Sequence, residues 1–274
     1  MLINKGSSFG WAPEQLEKSK DALGLTLISV LTSIRKSWNI EPSVKEGDDT
    51  VSPKNKGLII EAFEAMYHDL HGLSIQIDMI KHFFDHKNGI TRHRDFLFVT
   101  EVIEKYFANM RSIYDFMSKL LMLSVDQKLL GQINFDSLNS LITSVEKGKT
   151  KGKLTSDLEK ALLEIKPSFH ALRDIRDFII HNGKQLKIMT DENEYLIENF
   201  MKKEKSDDYV PLLPYLSHIT KEMLIFGEVI AHIIYEQYTK RYGEVPYFLV
   251  ALEGVCIPSF IDFLGLFESE TESS

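Results

Sequence analysis

SDLEKALLEIKPSFHALRDIRDFIIHNG, residues 156–183, opens with carboxylates and closes on a glycine. Asp157 and Glu159 stand where the positive end of a helix dipole favours negative charge, and Gly183 is a natural C-cap. The pattern predicts one long helix from about Ser156 to His181, kinked at Pro167. Near its end Leu172, Ile175 and Ile179 recur at i, i+3 and i+7, a buried stripe with Phe178 at its margin. Arg173, Asp177 and His181 recur at i, i+4 and i+8 and take another side. Asp177 therefore stands one turn from His181 and can orient it, while the last turn adds the negative end of the dipole. Both favour the protonated imidazole, which can then supply a proton near neutral pH. Arg176 precedes His181 by five residues, about 140 degrees round a regular helix. The two meet only if the helix end distorts or a second copy supplies the partner.

Outward from this helix, apolar residues keep the same period. Residues 13–39 carry Leu16, Ala22, Leu23, Leu27, Val30, Leu31 and Ile34 at helical spacing. Residues 58–86 and 92–124 are two amphipathic runs separated by HKNGIT, which predicts an antiparallel helical hairpin. A shorter helix falls near 136–147 and a final long one at about 215–241. Between helices, EPSVKEGDDTVSPKNK (41–56) reads as a linker that adds nothing to a core, and EKGKTKGKLTSD (146–157) reads as flexible. KQLKIM and EYLIENF flank TDEN as a small β-hairpin, and ESETESS reads as a disordered tail. Tyrosine and phenylalanine in YFANMRSIYDF (106–116) read as core. The expected class is all-α, an up-and-down bundle of long helices, with that one hairpin after the 156–181 helix. Three parts follow: residues 1–56, an N-terminal helix and linker; 57–243, the bundle; and 244–274, an apolar extension with an acidic tail.

Composition narrows the classes. Of 274 residues 43% are hydrophobic, enough for a real core. Lysines and arginines number 32 against 40 carboxylates, a net charge of -8, which disfavours a broad electrostatic grip on nucleic acid but permits a local basic site. The single cysteine, Cys256, excludes an intramolecular disulfide and a zinc-cysteine cluster and suits a reducing compartment. With no signal-peptide pattern in MLINKGSSFGWAPEQLEKSKD, a cytoplasmic protein is expected. The apolar stretch 245–267 carries Glu253 and Asp262 and is interrupted by Pro246 and Pro258, so no membrane span is expected there. Asp78, His82 and His86 share a helix face, but without an HExxH pattern no metal site and no cofactor are assigned. His68 and His71 make a weaker pair, His218 and His232 are expected to line the bundle, and Lys202, Lys203 and Lys205 to lie in a solvated loop.

Arg176-Asp177-Phe178-Ile179-Ile180-His181 resembles the arginine, polar residue, three-residue spacer and histidine motif of the HEPN superfamily, the "higher eukaryotes and prokaryotes nucleotide-binding" domains. The resemblance covers the motif and, loosely, residues 58–241, and leaves residues 1–56 and 244–274 uncovered. It implies an all-α bundle with the motif near the end of a long helix. It also implies a metal-independent endoribonuclease of the toxin-antitoxin or defence kind, with two motifs meeting across a homodimer. Carried over residue by residue, Arg176 holds the scissile phosphate, His181 moves the proton and Asp177 positions them. Arg173, Asn182 and Lys184 stand beside them as candidate RNA-binding residues. RNA, a second copy and a cognate antitoxin are the partners this setting implies. Two readings stand against it: a catalytically inactive HEPN-like module that binds a nucleotide or a protein partner, and a helical scaffold with a solvated ion-pair face.

Overall fold

No helix can bury its own apolar stripe, so the long amphipathic segments of this chain must pack on one another. A computed structural model describes residues 25–40, 51–85, 93–182, 186–190, 194–198, 209–245 and 258–265. Helix α1 is Leu25–Ile40, α2 is Pro53–Asp85 and α3 is His93–Leu120. Two 3-10 turns, Leu121–Ser124 and Gln127–Gln132, lead to α4 (Leu138–Glu146), and α5 (Ser156–Asn182) follows. A sheet of β1 (Ile188–Thr190), β2 (Tyr195–Glu198) and β3 (Tyr209–Pro211) comes before α6 (Leu212–Tyr242) and the short α7 (Pro258–Phe263). The mostly helical class and the hairpin after α5 agree with the periodicity.

Helices α2 and α3 form the expected paired run, burying Met66, Leu73 and Ile77 together with Ile103, Tyr106 and Phe107. The Asn109 side chain of α3 packs against Gly72 of α2, where a Cβ atom would stand 2.6 Å from Asn109 Nδ2. Helix α6 buries residues along its whole length, from Leu212 to Tyr238, and is packed by α1, α3 and α5. Helix α1 is tied to it by Trp38 Nε1 donating to Tyr238 Oη at 2.9 Å and by the Thr26 amide donating to Glu228 Oε1 at 3.1 Å. The strands are antiparallel in the order β1-β2-β3, with Ile188 opposite Ile197 and Ile197 opposite Val210. Period-2 alternation turns Tyr195 and Ile197 of β2 inward, so the sheet closes part of the core.

Several expectations need correction. The linker reading of 41–56 fails over its last residues: Pro53 is the first residue of α2, the Ser52 hydroxyl accepts from the Asn55 amide at 3.3 Å, and Val51 is buried in the core. Serine before proline is a helix start, because proline at the first helical position loses no bond that the helix would have made. Residues 41–50 lie outside the described part. EKGKTKGKLTSD is an ordered series of turns in which Thr150 is 1% exposed and donates to Glu159 Oε1 at 2.7 Å. Pro167 lies inside α5, which is helical from Ser156 to Asn182. It is exposed, so water can reach the carbonyl it leaves unpaired. His218 and His232 do not line the bundle: both are exposed, and His218 Nε2 lies 3.5 Å from Glu222 Oε1. The third strand was not foreseen. Among the described residues no helix is long and apolar enough to cross a membrane. Of the 245–267 stretch, Val245, Phe260 and Leu264 are buried and residues 246–257 lie outside the described part.

Candidate functional site

Helix α5 begins where Thr155 Oγ1 accepts from the Leu158 amide at 3.3 Å, a side-chain N-cap. Its apolar stripe, Leu158, Leu162, Phe169, Leu172 and Ile175, is buried. Leu172 and Ile175 thus lie where the spacing put them. The Phe169 ring meets Tyr114 edge-on at 5.5 Å between centroids and carries the Arg111 guanidinium 4.6 Å from its centre, which fixes the rotation of α5 against α3.

That rotation presents a polar stripe toward α4. Lys166, His170, Arg173 and Asp177 follow at i, i+4, i+7 and i+11. Helix α4 is held in turn by α3, because Asp115 Oδ1 accepts from the Leu138 amide at 3.0 Å at the start of α4 and lies 2.5 Å from Arg111 Nη1. Glu146, the last residue of α4, pairs with Lys166. At the other end Asn139 Oδ1 accepts from Arg173 Nη1 at 3.1 Å, and Arg173 Nη2 also donates to Asp174 Oδ1 at 2.9 Å. Arg173 is therefore a clamp between α4 and α5.

Arg176 Nη1 donates to Asp177 Oδ1 at 3.2 Å, and the two side chains are 36% and 44% exposed. The backbone stays α-helical through His181 and Asn182. Regular winding to the end keeps Arg176 and His181 about 140 degrees apart, so within one chain the helix axis separates them. Beyond the backbone, His181 and Asn182 lie outside the described residues, as does Lys184 altogether. Arg173, Arg176 and Asp177 are thus brought onto one end of α5.

The sequence reading overlooked His170. It lies on the stripe three residues before Arg173, so extending the same spacing backwards would have found it. Its Nε2 is buried without a hydrogen-bond partner. Burial lowers its titration first, and the Arg173 and Lys166 cations push the same way against Asp174 and Glu146. This imidazole is held toward its neutral form. Glu146 is also lowered, below the usual carboxylate range, chiefly by its hydrogen bond from Lys166, which holds it in its charged form.

A groove of about 190 Å³ runs between α5 and α6 against Ala161, Ile165, Phe226 and Val229. Arg176 and Asp177 do not line it. Among the described residues no three His, Cys, Asp or Glu side chains cluster as metal ligands; His86 lies outside them. Compared with known proteins, the chain matches no family model, no curated protein and no solved structure.

Proposed function

We propose that this protein is a metal-independent endoribonuclease of the HEPN kind, acting as a homodimer in a toxin or defence setting. One observation carries the reading: α5 is helical through His181 and holds Arg176 and Asp177 as a solvent-reachable pair in its closing turns. A guanidinium at the surface is suited to a bidentate grip on a phosphate. In the reaction a ribose 2′-hydroxyl loses its proton, its oxygen attacks the neighbouring phosphorus, and the bond to the 5′ oxygen breaks as that oxygen gains a proton. The products are a 2′,3′-cyclic phosphate and a 5′-hydroxyl. His181 moves the proton, Arg176 steadies the developing charge on phosphorus, and Asp177 positions them. The 140-degree separation within one helix is the reason for a second copy, whose Arg176 can approach this chain's His181.

The test is RNA cleavage in the presence of a chelator, with light scattering for mass. The expected result is a dimer whose activity falls at least about 100-fold in Arg176→Ala and in His181→Ala, with the helical circular dichroism kept. A monomer, or two variants that cut like the parent, would overturn the reading. The net charge of -8 and the pairing of Arg176 with Asp177 favour a second reading, an inactive HEPN-like module that binds a nucleotide or a protein. Tight nucleotide or partner binding without cleavage would select it.

A further inference from the structure

The turn between α4 and α5 carries lysines at 147, 149, 151 and 153, four cations in seven residues of a chain whose net charge is -8. Its backbone is fixed by its own hydrogen bonds: the Gly148 amide to the Val145 carbonyl at 2.9 Å, Lys149 to Ser144 at 2.9 Å, and Lys153 to Thr150 at 2.8 Å. Gly148 and Gly152 take φ of 65° and 75°, a region that side chains resist, so the alternation of glycine and lysine is what lets the turn close. Thr150 and Leu154 point inward and are buried. Lys147, Lys149 and Lys151 are exposed and Lys153 is half-buried. Among the described residues no ion pair within 4.0 Å engages Lys149, Lys151 or Lys153; of the carboxylates beside the turn, Glu146 is occupied by Lys166 and Glu159 accepts from Thr150. A turn whose backbone is set by its own hydrogen bonds keeps four lysines within seven residues of one another, an arrangement suited to an extended anion.

We propose that the 147–153 turn binds the phosphodiester backbone of RNA and anchors the strand along the seam of α4 and α5 toward Arg176. This rests on the ribonuclease reading for the identity of the anion. Ser156 to Arg176 is about 30 Å of helix. Lys166 and Arg173 lie between them on the stripe that faces α4, and that stripe ends at Asp177, the neighbour and partner of Arg176. RNA fits better than an anionic membrane because the turn offers nothing to insert. Residues 147–153 include no apolar side chain, and the flanking Val145, Leu154 and Leu158 are all buried.

Binding is read apart from cleavage with two unrelated 2′-O-methyl RNA strands of about 20 nucleotides, which keep the phosphates but lack the attacking hydroxyl. Anisotropy is measured against salt for the full chain and for the K147Q/K149Q/K151Q/K153Q variant. The expected result is at least a tenfold loss of affinity for both strands. The slope of log affinity against log salt should fall by up to about 3, since each phosphate contact on a single strand adds about 0.7. The corresponding four-arginine variant should bind like the parent. Equal affinity and slope in parent and glutamine variant, or a parent that binds neither strand, would overturn the proposal. So would lysine-dependent binding to phosphatidylserine vesicles with none to RNA. If the lysines govern binding while the parent leaves unmodified RNA intact, the turn stands and the catalytic reading of Arg176 and His181 fails.

Discussion

At the scale of single residues the core holds polar atoms in unequal positions. Tyr106 is fully buried, and its hydroxyl lies 2.6 Å from Thr220 Oγ1, which also donates to the Leu216 carbonyl at 2.6 Å. Removing the tyrosine hydroxyl leaves Thr220 with its carbonyl partner, whereas removing the threonine hydroxyl strands a phenol in hydrocarbon. Tyr106→Phe should cost about 1 kcal/mol and Thr220→Val about 2 to 3 kcal/mol in denaturant unfolding. The reverse order would show that Tyr106 has another partner. The motif can be judged at this scale too. Spacing told which residues of α5 share a face, and Leu172 and Ile175 are indeed buried. It could not tell that Arg173 would reach Asn139, a residue 34 positions earlier. That contact depends on how α4 is seated by Asp115, which no local pattern encodes.

Between elements, close approach is set by the smallest side chains. Helices α2 and α3 touch at Gly72, and an added methyl would press on Asn109, which is itself 4% exposed. Gly72→Ala should therefore destabilise by about 1 to 3 kcal/mol despite alanine's better helix propensity. Asn109→Ala in the same chain should recover most of that loss. Additive losses in the double-mutant cycle would rule out the clash as the cause. Long helices were legible because a 3.6-residue period repeats many times over some 30 residues. Strand β3 has three residues and no room for a period. The start of α2 was masked for a different reason, since proline signals both a loop and a first helical turn, and only the Ser52 cap decides between them.

For the whole molecule, three buried phenols predict how the fold meets alkali. Burial pushes Tyr106, Tyr114 and Tyr215 well above the ordinary tyrosine value near 10, and the Glu222 carboxylate adds to the last two. Each therefore keeps its proton when folded at a pH where the unfolded chain releases it. Their contribution is intact below about pH 10 and is lost as pH rises beyond it, by about 1.4 kcal/mol per pH unit for each phenol. Urea unfolding between pH 9 and about 11 should show this fall, with a shallower slope in Tyr106→Phe. An identical slope would mean that Tyr106 ionises equally easily in both states.

The amino-acid sequence by itself determined the helical class, the hairpin after the motif helix, and the face of α5 that turns inward, because each follows from periodicity and caps acting over a few turns. Tertiary structure alone decided what surrounds the motif. It brought Glu146 to Lys166 and Asn139 to Arg173, closed the four-lysine segment into a hydrogen-bonded turn, and left His170 partly buried between cations. Those contacts join segments tens of residues apart, and their geometry is fixed by how whole helices rotate and seat against one another, which is a property of the packed core rather than of any local stretch.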